Sequence, residues 1–402
     1  MKKIGLLPRI LIAIVLGLIL GQFLPLGWVR VFATFNGVFS QFLGFMIPLI
    51  IVGLVTPAIG EVGRGAGRLL LATVAVAYLD TALAGLLAYG TGSVLFPGMV
   101  EAAQADVTVA EVQAVEPYFK VTIPPLFDVM SALIFSFVLG LGIAYRPLFP
   151  SHVGEGLGEG TTSTLRAITR EFREVIAKAI GVAIIPLLPL YIFGIFLQMV
   201  VSGEAYRIVL VFAQIILVIF ALHILILLYE FVIAGAVTRR NPFRLLWTML
   251  PAYMTALGTS SSAATIPVTL RQTMKNGVSD DIAGFTVPLC ATIHMSGSAM
   301  KITACALTIC LLEGIPHDPM TFLHFILMLG IVMVAAPGVP GGAIMAALAP
   351  LGYILGFTPD QQALMIALYI AMDSFGTACN VTGDGAIALV IDKFFRKELR
   401  EA

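Results

Sequence analysis

The residues best suited to chemistry lie in one apolar stretch near the carboxyl end of the chain. Asp373 and Asp384 are eleven positions apart, about three helical turns, so in a helix both carboxylates project from one face. Asn380 lies four residues before Asp384, in the run Asn-Val-Thr-Gly-Asp. A carboxamide, a carboxylate and a glycine that can free backbone carbonyls supply the oxygen ligands that hard cations prefer. We therefore predict a Na⁺ site that includes Asn380 and Asp384.

The composition places these groups in a membrane protein. Of 402 residues, 59% are hydrophobic and 11% are charged, and the mean hydropathy is +1.01. Soluble domains carry about 25% charged residues. The 23 Lys and Arg residues balance 23 Asp and Glu residues, which gives no indication of nucleic-acid binding. No nucleophile and base occur at supporting positions, so the chain is not predicted to be an enzyme.

Six apolar runs have the ~20-residue length that a membrane crossing requires. They occupy residues 10–27, 37–59, 69–95, 125–148, 175–201 and 205–237. Lys and Arg residues flank the amino terminus and the carboxyl end, whereas the loop 97–124 is acidic. By the positive-inside rule, both termini of this multi-pass protein lie on the cytoplasmic side of the cytoplasmic (inner) membrane.

Two later segments are too short to cross the membrane twice. Residues 245–270 make up about 26 positions, whereas two crossings need ~40. Ser260, Ser261 and Ser262 interrupt this segment, and we call them the first tip. Prolines and glycines at 336–342 interrupt the segment 321–355 and cannot continue a helix. We predict two re-entrant hairpins whose tips offer backbone N–H groups to an anion.

Polar breaks also interrupt two longer apolar segments. Residues 282–312 carry His294, Ser296 and Ser298, and residues 361–392 carry the aspartates described above. Along the chain, each hairpin is followed by a broken span, and this order occurs twice. Such an inverted repeat predicts a binding site near the membrane midplane. The predicted fold is an all-α polytopic membrane protein with eight transmembrane segments and two re-entrant helical hairpins.

Several other ionisable residues lie within the predicted spans. Imidazole titrates near neutral pH, so His294 is a candidate for ion or proton handling, with a satisfied core histidine as the alternative. Asp80 and Lys301 are either functional charges or a mutual structural pair. His223 and Glu230 are interpreted as packing or interface groups.

Three motifs occur together in the carboxyl half. They are Ser260-Ser261-Ser262 followed by Pro267-Val268-Thr269, then Gly338-Val339-Pro340-Gly341, and finally Asn380-Val381-Thr382-Gly383-Asp384. In this combination the sequence resembles the dicarboxylate/amino acid:cation symporter family, the glutamate transporter homologues. The resemblance is densest from 245 to 392, and the span order before it is similar.

This resemblance implies a homotrimer in the lipid bilayer that works as an elevator with inverted repeats. A static scaffold holds the protomers together while each transport domain moves, with the second hairpin as its gate. The implied division is 1–68 as scaffold, 69–124 as the third span of the transport domain with an outer loop, 125–240 as scaffold plus the sixth span, and 241–402 as the core transport domain.

The resemblance also implies roles in substrate binding. Asp373 matches the aspartate that holds an amino group, while Thr377 and Asn380 match positions near the α-carboxylate. Ser260 and Gly376 stand where members that carry acidic substrates have an arginine. Without either arginine a second carboxylate would be desolvated with no bidentate partner, which favours a small neutral amino acid. The predicted substrate site contains Ser260, Ser261, Ser262, Ser298, Gly338, Val339, Pro340, Gly341, Asp373, Gly376, Thr377 and Asn380.

The cation sites depart from the family pattern. Where the family has Asn-Met-Asp-Gly-Thr, this chain has His294-Met295-Ser296-Gly297-Ser298, so at least one sodium site is expected to be lost or weak. Coupling by Na⁺, by H⁺ or by both stays open, and no further cofactor is implied. The candidate coupling residues are Tyr78, Asp80, Thr81, Cys290, Thr292, His294, Ser296, Lys301, Asn380 and Asp384.

The leading hypothesis is a secondary active transporter, a symporter, for a small neutral amino acid. One alternative is an acidic amino acid or dicarboxylate symporter with atypical cation coupling. Another is an uncoupled anion channel or exchanger on the same scaffold.

Overall fold

A computed structural model describes residues 6–62, 67–105, 115–126, 128–145, 160–203, 205–334, 336 and 341–401. Within these ranges every regular element is a helix and none is a strand. A π-helical turn at Ile180–Ile184 joins two of the helices. The α-helices are α1 (Leu6–Leu20), α2 (Leu26–Val62), α3 (Gly67–Ala105), α4 (Val129–Tyr145), α5 (Gly160–Ala179), α6 (Ile185–Val201), α7 (Ala205–Thr238), α8 (Pro242–Thr259), α9 (Ser262–Lys275), α10 (Asp280–Ile293), α11 (Ser296–Glu313), α12 (Pro319–Met333), α13 (Gly342–Tyr353), α14 (Pro359–Ala371) and α15 (Asp373–Glu401).

Several of these helices are suited to a membrane. Among the described residues five helices are long and apolar enough to cross a bilayer, and the bent pair α14–α15 makes a sixth candidate. The five are Leu26–Pro57, Arg68–Ala102, Thr164–Val201, Ile208–Thr238 and Asp280–Glu313. This confirms the prediction of an all-helical, multi-pass membrane protein. The count of eight crossings stays a prediction, since α1 and α4 have only 15 and 17 residues.

The chain forms two compact units. The first contains residues 1–70 and 114–198, and the second contains residues 71–113 and 199–402. The sixth apolar run, as α7, belongs to the second unit together with both hairpin segments and both broken spans. All of the candidate site residues lie in the second unit as well. The division into scaffold and transport domain stays a prediction.

The first tip is a sharp turn between α8 and α9. Ser260 ends α8 in the left-handed region, with φ of 50°. Ser261 is extended, and its Oγ accepts a hydrogen bond from the backbone N–H of Ala264, which caps the start of α9. The two serines therefore reverse the chain through a left-handed residue followed by an N-cap, and α8 packs against α9.

The second hairpin segment consists of α12 and α13. Asp318 caps α12 by accepting hydrogen bonds from the backbone of Met320 and Thr321. Gly341 precedes α13 with φ of 76°, a conformation that favours glycine. The other predicted tip residues, Gly338, Val339 and Pro340, lie outside the described residues.

The two long carboxyl-terminal segments are both broken, although one break differs from the expectation. His294 is extended and, with Met295, separates α10 from α11. Met372 separates α14 from α15, which meet at 64°. Gly383 was predicted to free backbone carbonyls, but α15 is helical from Asp373 onward. Because glycine is tolerated in a helix whose packing compensates its low propensity, that expectation was wrong.

A polar cluster ties α15 to the start of α10. Ser279, the N-cap residue of α10, makes no capping bond with its side chain. It donates from its backbone N and its Oγ to Asp392 Oδ1, at 3.0 and 2.6 Å. Arg396 donates to the same carboxylate, with Nη2 2.9 Å from Asp392 Oδ2. Asp392 therefore fixes the position of α15, on which the two site aspartates lie.

We expect Asp392→Ala to lower the free energy of unfolding by about 1–3 kcal/mol, because it leaves the donors of Ser279 without their acceptor. Thermal unfolding of the purified protein measures this loss. Asp281→Ala is the control, since Asp281 is an exposed carboxylate in the first turn of α10. Equal losses for the two variants would contradict the role of Asp392.

Candidate functional site

The first site centres on His294, a buried imidazole with carboxylates on both sides. Its Nδ1 lies 2.9 Å from Asp384 Oδ1, and its Nε2 lies 2.8 Å from Asp80 Oδ2. A neutral imidazole carries one N–H, and an ionised carboxylate can only accept. Two hydrogen bonds of this kind require two protons. If both contacts are hydrogen bonds, the three groups together hold one proton more than a neutral histidine and two ionised aspartates would carry.

A third carboxylate, Glu230 from α7, completes this site. Its Oε1 lies 3.9 Å from His294 Nε2 and accepts a hydrogen bond from Ser296 Oγ at 3.0 Å. Tyr229, its neighbour, donates to Asp80 Oδ1 at 2.7 Å. From the sequence, Glu230 is a packing or interface group, whereas the structure places it beside His294 and Ser296. The signal was present, because a carboxylate inside a span is costly unless it has a partner.

The cluster also offers ligand atoms for a cation. One atom each from Asp80, Glu230 and His294 lie within 4.8 Å of one another. Asp384 Oδ2 and Glu230 Oε2 are buried and have no hydrogen-bond partner among the described residues. Carboxylate oxygens of this kind fit a hard cation such as Na⁺, while the imidazole between them fits a proton. The donor set is therefore compatible with either coupling ion.

The side chain of Asn380 is hydrogen-bonded to the first turn of α11. Its Oδ1 accepts hydrogen bonds from the backbone N–H groups of Gly297 and Ser298, at 2.9 and 3.3 Å. Its Nδ2 donates to Ser298 Oγ, which also lies 3.0 Å from the hydroxyl of Tyr369. The carboxamide oxygen thus already accepts two bonds, so the predicted Na⁺ site at Asn380 and Asp384 finds its free oxygen on Asp384 alone. That site stays a prediction.

The second site centres on Asp373 and the buried ammonium of Lys301. Lys301 Nζ lies 3.5 Å from Asp373 Oδ1, and the lysine side chain is 0% exposed. It also donates to the backbone carbonyl of Met372 at 3.1 Å and lies 3.7 Å from the ring centroid of Tyr369. The other oxygen, Asp373 Oδ2, accepts a hydrogen bond from Gly341 N at 2.8 Å.

Asp80 and Lys301 are therefore not partners of each other. Asp80 contacts His294, and Lys301 contacts Asp373. The cation beside Asp373 comes from α11, a different segment of the chain. Gly376 makes room for it, since a Cβ at that position would lie 2.5 Å from Lys301 Nζ.

The remaining predicted residues divide into those near the two sites and those elsewhere. Thr81 Oγ1 accepts a hydrogen bond from Met295 N at 3.1 Å, and Ser260 Oγ lies 2.6 Å from Ser374 Oγ. Tyr78 instead donates to Leu327 O, and the exposed Thr292 donates to Leu289 O. Those two hydroxyls belong to neither site. Ser261 caps α9, while Ser262, Cys290 and Thr377 are buried.

Gly383 allows Glu230 and His294 to pack closely against α15. A Cβ on Gly383 would lie 2.5 Å from Glu230 Oε2 and 2.7 Å from His294 Cε1. Glycine at this point of α15 therefore serves close packing of the cluster against the helix. Sequence analysis noted this glycine for a different reason, the release of carbonyls.

Comparison with known proteins gives concordant matches. The sequence profile of the sodium:dicarboxylate symporter family matches residues 6–394. The chain is 26% identical over 405 residues to the serine/threonine transporter of Acinetobacter baylyi, covering 97% of this chain and 98% of that protein. It is 32% identical over 209 residues to excitatory amino acid transporter 3 of Mus musculus, covering 52% of this chain and 36% of that protein.

The close approach at Gly383 gives a test of the first site. Gly383→Ala should separate Glu230 and His294 from α15 and lower the free energy of unfolding by about 1–3 kcal/mol, the usual cost of overpacking. Gly258→Ala in α8 is the matched control, since nothing lies within 4 Å of a Cβ built there. Thermal unfolding of both variants checks this, and a stable Gly383→Ala protein would contradict the packing described.

Proposed function

The chain belongs to the sodium:dicarboxylate symporter family, and from this membership we propose that it is a secondary active transporter for a small neutral amino acid. The transporter works in the cytoplasmic membrane as a homotrimer with an elevator mechanism and cytoplasmic termini. Its coupling ion is a proton, alone or together with Na⁺. The His294 cluster carries that ion, and Asp373 receives the ammonium of the substrate.

The substrate assignment rests on the charges around Asp373. A zwitterionic amino acid needs one anion for its ammonium and donors for its single carboxylate. Asp373 supplies the anion, and the first tip supplies backbone N–H groups at the start of α9. Neither Ser260 nor Gly376 supplies a guanidinium for a second carboxylate. The named substrates of the Acinetobacter baylyi relative, serine and threonine, are neutral amino acids of this kind.

The coupling assignment rests on one observation, the two short contacts of His294. Both ring nitrogens lie within hydrogen-bond distance of a carboxylate, so the cluster contains an extra proton. Loss of that proton leaves one nitrogen facing a carboxylate oxygen with no hydrogen between them. The two acceptors then repel each other, and either a carboxylate moves away or a cation enters. Binding or release of the ion thereby changes how α3 and α15 are held at the break before α11.

Lys301 favours a second candidate function, transport of an acidic amino acid or dicarboxylate. Its ammonium lies at Gly376, so a cation does stand beside this position of α15. That ammonium is already paired with Asp373, which is why the neutral substrate is preferred.

The proton assignment is tested by uptake of L-serine into proteoliposomes at zero membrane potential. A gradient of one pH unit, acidic outside, corresponds to about 1.4 kcal/mol per proton and sustains about tenfold accumulation at one proton per substrate. His294→Asn should abolish this accumulation. His324→Asn, at an exposed histidine of α12, should preserve it. Accumulation that follows a Na⁺ gradient alone, indifferent to pH and to His294→Asn, would overturn proton coupling.

The substrate class is tested by a binding screen with and without Na⁺ at two pH values. L-serine, L-threonine and L-alanine should stabilise the protein against thermal unfolding more than L-aspartate or succinate does. Asp373→Asn should weaken serine binding about 10–100-fold, the value of a hydrogen bond to a charged group. Asp281→Asn, at an exposed site, serves as the control. A preference for succinate in the unmodified protein would support the dicarboxylate alternative instead.

A further inference from the structure

The proposed function leaves one buried charge without a role, the ammonium of Lys301. Every residue of α11 from Ser296 to Cys310 is buried, and Lys301 lies in the middle of that run. A buried ammonium costs several kcal/mol unless it is paired and hydrogen-bonded. Lys301 meets this requirement through three contacts, namely a carboxylate, a backbone carbonyl and an aromatic face.

The carboxylate contact is the one that conflicts with substrate binding. Asp373 Oδ2 already accepts a hydrogen bond from Gly341, and Oδ1 faces Lys301 Nζ at 3.5 Å. Both oxygens of the group that would receive the ammonium of an amino acid are therefore engaged. A substrate ammonium and the lysine ammonium are chemically alike, so the two compete for one carboxylate.

The contacts of Lys301 with Met372 and Tyr369 can remain when Lys301 is no longer paired with Asp373. The carbonyl of Met372 lies at the break between α14 and α15, and it accepts hydrogen bonds from Lys301 Nζ at 3.1 Å and from Gly376 N at 3.2 Å. The ring of Tyr369 lies 3.7 Å below the ammonium, in a cation–π arrangement. Neither contact is made by the carboxylate of Asp373. Lys301 can thus give up Asp373 and keep two favourable interactions.

Gly376 is what lets this ammonium reach the carboxylate. A Cβ at Gly376 would lie 2.5 Å from Nζ and 2.6 Å from Cε of Lys301. Any side chain here would push the lysine back along α11. The position of Lys301 on α11 therefore depends on the absence of a side chain at Gly376 on α15.

We propose that Lys301 is a tethered competitor for the substrate, which occupies Asp373 in the empty transporter and yields it to the ammonium of the amino acid. The inference rests on the proposed role of Asp373 in binding that ammonium. Lys301 keeps a buried carboxylate neutralised whenever no substrate is present. In doing so it lowers the affinity for the substrate and speeds its release.

The test compares Lys301→Gln with the unmodified protein in equilibrium binding of L-serine. Glutamine retains a donor for the Met372 carbonyl and removes the positive charge. We expect serine to bind about tenfold more tightly to Lys301→Gln, a change of about 1.4 kcal/mol. Glycerate, which has a hydroxyl in place of the ammonium, should show no such gain. Lys275→Gln, at an exposed lysine of α9, is the control and should leave both affinities unchanged.

A second variant keeps the test decisive if Lys301→Gln does not fold. Lys301→Arg retains the charge and can hold Asp373 with two hydrogen bonds, so serine should bind about tenfold more weakly. Serine affinity that is unchanged or lower in folded Lys301→Gln overturns the proposal and makes the pair purely structural. Absence of serine binding in the unmodified protein and in Lys275→Gln refutes the proposed function instead.

Discussion

The two short contacts of the His294 imidazole with Asp80 and Asp384 are the interaction on which the proposed ion coupling depends. His294 joins α3, through Asp80, to α15, through Asp384, at a point where the chain between α10 and α11 is extended. Each contact is short only while a hydrogen lies between nitrogen and oxygen. Under the proposed proton coupling, these contacts hold three segments that are distant in sequence only while the proton is bound, and a rise in pH removes that proton. Glu230 adds a third carboxyl group, with Oε1 3.9 Å from His294 Nε2.

The two sites are linked by a short path through Asn380. This carboxamide holds the backbone N–H groups of Gly297 and Ser298, directly after the break that contains His294. Ser298 Oγ in turn lies 3.0 Å from the hydroxyl of Tyr369. The ammonium of Lys301 lies over the ring of the same tyrosine, 3.7 Å from its centroid. Gly297 allows this close packing, because a Cβ there would lie 2.6 Å from Cys379 Cβ. The start of α11, the helix that carries Lys301, is therefore hydrogen-bonded to α15 through Asn380 and to α14 through Tyr369, between the two sites.

The sequence was informative where polarity conflicts with the membrane and less so where partners come from distant segments. The turn at Ser260 and Ser261, the break at His294 and the all-helical fold follow from local chemistry, since polar or helix-breaking residues must be accommodated. The pairings of Lys301 with Asp373 and of His294 with Glu230 could not be read from spacing, because each joins two helices whose relative register only packing fixes. Glu230 is an example. The sequence shows that a carboxylate inside a span is energetically costly, but it does not show that His294 is the partner of Glu230. Gly383 was predicted to free backbone carbonyls, whereas in the structure its missing side chain leaves room for Glu230 and His294.

Charge balance is the reason why the proposal gives each of the two sites a cation of its own. A buried carboxylate without a partner is strongly destabilising, so a transport site that empties at each cycle needs a substitute for its departed ligand. In the proposal above, the substitute at Asp373 is Lys301, which can keep its hydrogen bond to the Met372 carbonyl without leaving the site. At Asp80 and Asp384 we propose that it is the imidazolium of His294, which can lose its charge by releasing a proton. One site is thereby suited to exchange one ammonium for another at constant charge, and the other to change its charge. The second kind of site is the one that can couple transport to an ion gradient.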